Sequence, residues 1–393
     1  MGREKIRSRP GTHRPRSLPR PPRFRDEPHR ASTPLELFFD LVIVVAVAAA
    51  AASLHHGIAE DHVAESIVSY LLVFFAIWWA WMSFTWFATA YDTDDVPYRI
   101  AVFIEMSGAI VIAAGVTRAF ESADWSVVTL GYVVMRLAAV TLWARAARAD
   151  PEHRANSIRW VIGVPIVQVG WILLLFVPQE LQLPVFLLLA AAELAIPIWA
   201  ARAKRLRWHS EHIAERYGLF TIIVLGESVL AGTVAIATAA DTGTPDLALL
   251  GLAIGALLIV FSMWWLYFER STADLLTSIG RSFEWGYGHY FIWGAAAAVG
   301  AGVAVAVDVA TDHADVDMVV GGAAVAVPVA IYITGTWVLH DLPRPMPTWR
   351  MALSPAAAVL VLLAPLTPLP VLATGLVVAG LLVAKVATAR ARA

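Results

Sequence analysis

Cysteine is absent from all 393 residues. Disulfide staples and thiolate metal ligands are therefore excluded together. Charge is scarce as well: 15% of the chain is Asp, Glu, Lys or Arg, while 59% is hydrophobic. A soluble domain of ordinary composition carries far more. A lysine-bearing phosphate loop and a glycine-rich dinucleotide turn are also missing, so ATP-driven transport and nucleotide chemistry have no support. The pair His209 and His212 lacks the HExxH spacing and an obvious third ligand, and neither a metal set, a catalytic set nor a cofactor is implied. What remains is apolar. Mean hydropathy is +0.67, and runs approaching the ~20 residues that cross a bilayer recur along the chain.

This composition predicts an all-α polytopic membrane protein of about twelve transmembrane helices. The candidate spans are 34 to 53, 66 to 90, 98 to 119, 126 to 146, 158 to 177, 182 to 201, 213 to 239, 246 to 268, 286 to 307, 317 to 339, 351 to 366 and 368 to 387. The last two are short because Pro365, Pro368 and Pro370 interrupt them. Residues 1 to 33 carry ten Arg/Lys against Glu4, Asp26 and Glu27, a net +7, and the rest of the chain must then carry −9 to reach the total of −2. The tail reads as a disordered, basic, proline-rich cytoplasmic arm. Anionic lipid headgroups suit it, and nucleic acid is not expected as a partner. Basic loops fall on one side of a twelve-span count and loops such as Asp308 to Asp317 on the other, which places both termini in the cytoplasm.

The chain also echoes itself. FFAIWWAWMSFTWF at 74 to 87 is matched by VFSMWWLYF at 260 to 268, setting Trp78 and Trp79 against Trp264 and Trp265. The expected organisation is a first six-helix half at 34 to 201, a basic linker at 202 to 210, and a second half of the same orientation at 211 to 387 before a short basic tail at 388 to 393. Parallel repeats of this kind build many transporters. The four tryptophans are too clustered to be only interfacial anchors, and are expected to line a cavity between the halves.

Ionisable residues inside the spans are the functional candidates, since a charge at mid-bilayer costs about 2.5 to 3.5 kcal/mol even on the mild insertion scale. Thr33-Pro34-Leu35-Glu36 reads as a capping box, which gives Glu36 a structural explanation. Asp40 lies one turn deeper on the same face, where capping cannot account for it. Glu105, Glu193 and Glu227 also lie within spans, and Arg136 is the one basic residue clearly in mid-span. Four acids against one arginine leave a charge deficit that protons, a cation or water must relieve. Asp40, Glu105, Arg136, Glu193 and Glu227 are accordingly the expected binding residues. The segment His209 to Glu227 is a second dense patch: His209, Glu211 and His212, which precede the apolar run, are read chiefly as an interfacial helix start facing the cytosol, while His212, Glu215 and Arg216 join Glu36 and the four tryptophans as secondary binding candidates.

PLELFFDLVIVVAV in the first span, ERYGLFTIIVLGESV in the seventh and WWLYFE closing the eighth together resemble the bacterial low temperature requirement protein A (LtrA) family. The resemblance covers about residues 30 to 345. It implies an integral membrane protein linked by name to growth in the cold, with no established activity or ligand. A fainter similarity relates Phe38-Phe39-Asp40 to the Phe-Ser-Asp motif of lysosomal and bacterial potassium channels, but Thr221-Ile222 stands where the second half should repeat it. The leading functional expectation is a secondary transporter with a protonatable midplane site. A cation channel and an intramembrane enzyme acting on lipid in cold adaptation are the alternatives. The expected partners are the lipid bilayer and an unidentified small solute or cation, with homo-oligomerisation left open.

Overall fold

A computed structural model describes residues 31–206, 208–242, 247–276 and 278–390. All but the last few residues of the basic arm lie outside them. Among the described residues, twelve helical spans are long and apolar enough to cross a membrane. They are α1 (Pro34–Ala59), α2 (Val63–Tyr91), α3 (Val96–Ser122), α4 (Ser126–Ala149), α5 (Arg154–Leu174), α6 (Gln179–Ala203), α7 (Ser210–Thr242), α8 (Leu247–Phe268), α9 (Ile279–Ala310), α10 (Met318–Thr336), the pair α11 (Thr348–Met351) and α12 (Leu353–Leu363), and α13 (Pro370–Arg390). Helices are the expected solution, because backbone N–H and C=O groups in a hydrocarbon must be satisfied within the segment itself.

The helix starts follow the sequence closely. Thr33 Oγ1 accepts the Glu36 amide while the Glu36 carboxylate accepts the Thr33 amide at 2.8 Å, so the capping box at the head of α1 is complete. Asp95 and Asp317 cap α3 and α10 with the first of these bonds alone, accepting the Tyr98 and Val320 amides. The eleventh span is broken, as its prolines implied: α12 is followed by a tight turn at Ala364–Leu366. The twelfth span is a single helix of 21 residues.

Burial sorts the faces of α1. Phe39, Ile43, Ala46, Val47 and Ala50 are fully enclosed while Phe38, Leu41 and Val45 point outward, the i, i+4, i+7 pattern of one helical stripe. Both stripes are apolar, because one meets protein and the other lipid.

Helices α2 and α9 are the most enclosed of the spans. Their compositions are complementary. α2 is crowded with Phe and Trp, whereas α9 runs through Gly294, four alanines and Gly300 and Gly302. Tyr70 on α2 donates to the Gly294 carbonyl at 2.6 Å, and a Cβ at Gly294 would meet the Phe74 ring at 3.2 Å. At Gly302 an added Cβ would lie 2.1 Å from the Ala324 oxygen, so α9 and α10 touch backbone to backbone there and only glycine fits. The two expected halves meet through α1, α2, α7 and α9. Within them the neighbours run in parallel, α1 against α3 and α7 against α9, then α3 against α4 and α9 against α10.

Candidate functional site

The residues expected to form one midplane site are distributed over three places. The first is the junction of α1, α2 and α7. Glu36 and Asp40 sit one turn apart on α1, and His212 and Arg216 one turn apart on α7. His212 Nε2 lies 3.3 Å from Glu36 Oε1, and Arg216 Nη2 donates to Asp40 Oδ1 at 2.7 Å. Both pairs are separated by the same 176 residues, so the two helices run side by side in the same direction. Helix α2 closes the cluster. Trp81 Nε1 donates to the same Asp40 oxygen at 2.6 Å, Arg216 Nη2 lies 3.4 Å from Thr85 Oγ1, and Thr89 Oγ1 lies 2.9 Å from His212 Nδ1.

This junction corrects two expectations. His212, expected to face the aqueous side, is wholly buried, and so is Arg216. Asp40 therefore has an arginine of its own, and Arg136 is not the sole cation available to the buried acids. Glu215 alone of that patch keeps to the helix start, accepting the Ser32 amide at 3.1 Å. The ring of Trp81 explains how so much charge is enclosed: it stacks on Phe220, meets Trp293 edge-on, and lies 5.8 Å beneath the Arg216 guanidinium.

The second place lies inside the first half. Glu193 on α6 is fully buried and gathers five donors. Arg136 Nη2 (2.8 Å) and Trp79 Nε1 (2.9 Å) reach Oε2, while Gln168 Nε2 (2.8 Å), Tyr132 Oη (3.1 Å) and Trp171 Nε1 (3.3 Å) reach Oε1. Four helices, α2, α4, α5 and α6, are tied together through one carboxylate. So many donors take the place of water around the carboxyl group. Glu105 on α3 is also buried and lies within electrostatic reach of Arg136, although among the described residues only Glu193 pairs with that arginine directly. Trp79 and Trp81 are two positions apart on α2 and leave it on nearly opposite sides, one toward each cluster.

Two cavities flank Glu193. One, of about 190 Å³, has Tyr132 and Trp171 in its wall and reaches the α3–α4 turn at Asp124. Asp124 pairs with Arg118 at 2.9 Å, and its hydrogen bonds from Ser126 hold its carboxyl below the usual range. The other, of about 80 Å³, has Trp79 in its wall with Trp143, Trp160 and Trp208, and reaches Ala201 and Leu206 at the opposite end of the bundle. The donors to Glu193 thus form the partition between a cavity at the acidic-loop end and one at the basic-loop end.

Glu227 is in the third place. It lies eleven residues beyond Arg216, about 16 Å along the helix axis, and borders a separate cavity between α1, α7 and α9. The tryptophans also divide. Trp78 and Trp79 are buried and enter the packing between the halves, where both rings meet Tyr287. Trp264 and Trp265 are 46% and 48% exposed and point away from the core, so they do not line a cavity with the first pair.

Some members were not anticipated. Gln168 carried a readable signal, as an amide within the apolar run of α5. Tyr132, Trp171 and Trp81 carried none beyond being aromatic. His289 and His340 are buried as well, with Tyr267 Oη 2.9 Å from His289 Nε2.

These features define a multi-pass α-helical membrane protein with ion pairs enclosed between its helices. The chain belongs to the bacterial low temperature requirement A protein (LtrA) family, which matches residues 31–388. It is 30% identical over 251 residues to an uncharacterized protein of Rhizobium meliloti (strain 1021), a match covering 61% of this chain and 58% of that relative. The chain thus spans less than two thirds of that relative's length. No solved structure matches it.

Proposed function

We propose that the chain is a secondary transporter of the bacterial inner membrane that moves a small solute through its first half, with the basic-loop end and both termini in the cytoplasm. The observation that carries this reading is the pair of cavities reaching opposite ends of the bundle and separated by the Glu193 partition. A continuous pore would join them, and a purely structural bundle has no need of either. Alternating access requires a closed partition whose parts can rearrange. Donors on α2, α4 and α5 meeting a carboxylate on α6 supply one, since shifting any of these helices re-forms the bonds around the same oxygens. Glu105 beside Arg136 gives the partition a second carboxyl, so a proton or cation is required for electroneutrality at that depth. The duplication into two parallel halves belongs to the same proposal, supported by the matching helix neighbours described above.

The natural absence of cysteine makes the test direct. Thr129→Cys would sit in the cavity at the acidic-loop end and Ala201→Cys in the cavity at the basic-loop end. In oriented membrane vesicles, a membrane-impermeant thiol reagent is expected to label the first only from the periplasmic side and the second only from the cytoplasmic side. Labelling of Thr129→Cys from both sides, with a steady current across a planar bilayer, would replace the transporter by a channel. If neither position reacts from any side, the cavities are packing defects and the proposal fails.

A further inference from the structure

We propose a second binding site, for an organic ammonium ion, in the cavity between α1, α7 and α9. Its volume is about 530 Å³, within the range of pockets that hold small organic ligands. Glu227 projects into it half-way along α7 and receives no hydrogen bond from any described residue, unlike the carboxylates of Asp40 and Glu193. At the far end His55 Nε2 and Asp308 Oδ2 lie 2.6 Å apart, with His313 beside them. The cavity therefore contains two carboxyl groups and no Lys or Arg.

The walls decide what kind of cation suits it. An inorganic cation needs about six oxygen ligands to replace its water. Here the side-chain oxygens are spread out: Thr238 lies eleven residues, about 16 Å along α7, from Glu227, Asp308 and Thr311 stand at the far end, and most of the remaining surface is alanine. A ligand that brings its own apolar groups around one positive charge fits such a lining: alkyl groups against Ala231 and Ala301, and the charge within reach of Glu227. Carboxylate against a weakly hydrated ammonium is favourable where hydrocarbon surrounds both. Leu230 and Val234, both more than half exposed, form one edge of the cavity on the outward face of α7, so it opens sideways toward the lipid as well as toward the acidic-loop end. An ammonium group can accordingly arrive from solution or on a lipid headgroup. The site is separate from the Glu193 partition and does not depend on the transport reading.

The test is equilibrium binding of radiolabelled tetrapropylammonium to the full chain in phosphatidylglycerol nanodiscs. Saturable binding is expected, with Glu227→Gln weakening it at least ten-fold and Ala231→Leu, which fills the cavity without altering charge, weakening it to a similar extent. Both variants are checked for an unchanged melting temperature. If Glu227→Gln does not fold, the Ala231→Leu result decides. Repeating the measurement with phosphatidylcholine, whose headgroup carries three methyl groups around its charge, in the nanodisc separates the sources: loss of binding assigns the site to a lipid ammonium group, and retention assigns it to a free amine. Absence of saturable binding, wild-type affinity in Glu227→Gln, or complete displacement by equimolar sodium would each overturn the proposal.

Discussion

Replacing Glu193 and Glu105 by glutamine, singly and together, weighs the Arg136 charge directly. In the native arrangement the Arg136 and Glu193 side chains, 2% and 0% exposed, meet at 2.8 Å, and Glu105 is the second carboxyl within reach. Glu193→Gln retains one oxygen, which serves Arg136 and Trp79 best. Its new amide then faces Tyr132, Gln168 and Trp171. Tyr132 can rotate its hydroxyl to accept, and Gln168 can flip to present Oε1, which has no partner among the described residues. Trp171 can only donate, and its N–H is stranded. One unsatisfied buried donor costs about 1–3 kcal/mol, and Arg136 still has Glu105. Glu105→Gln costs less, because the five donors around Glu193 are untouched. The double variant differs in kind. Arg136 loses its last counter-charge, and breaking a buried pair from one side costs about 3–5 kcal/mol. The double variant is therefore expected to lose roughly 2 kcal/mol more than the sum of the singles. Chemical unfolding in detergent, followed by the fluorescence of the sixteen tryptophans, measures all four free energies. Additivity to within about 0.5 kcal/mol would refute the shared-arginine argument.

The junction of the halves offers a second cycle. Asp40→Leu and Arg216→Leu are each expected to destabilise by about 3–5 kcal/mol, while the double replacement is less destabilised than either single; a double loss equal to the sum of the singles to within about 0.5 kcal/mol would mean that the pair is not coupled. The tryptophan echo offers a simpler contrast. Trp79→Ala should cost about 3–5 kcal/mol, and Trp264→Ala, on the outward face, only about 0.5 kcal/mol or less. Equal losses in the same unfolding assay would contradict the outward placement of Trp264.

Much of the architecture was legible because lipid imposes one strong rule. A run of about twenty apolar residues must be helical, so the spans, the capping box at Thr33 and Glu36 and the break near Pro365 could all be read from residue types. Which acid meets which base could not. Asp40 finds Arg216 176 residues away and Glu193 finds Arg136 57 residues away, and both pairings depend on which helices become neighbours. Arg216 stands just ahead of the apolar run of α7, where residue types alone do not show which helix it meets, and the aromatic crowding of α2 against α1 and α7 encloses it.

Lipid also strips the tryptophan echo of information about facing. In a soluble protein an apolar stripe marks the core, but here the outward stripe meets hydrocarbon and is just as apolar, so Trp264 and Trp265 look like Trp78 and Trp79 while pointing the other way. Polar side chains within an apolar run are free of that ambiguity. Lipid tolerates them on neither face without cost, so each needs a protein partner, a ligand or water. Asp40 and Glu193 have protein partners. Gln168, with no charge to attract notice, met the same criterion and joined the Glu193 cluster. Glu227 met it too, but the fold gave it a cavity in place of a partner, and a carboxyl group left in that position is best explained by something that comes to it.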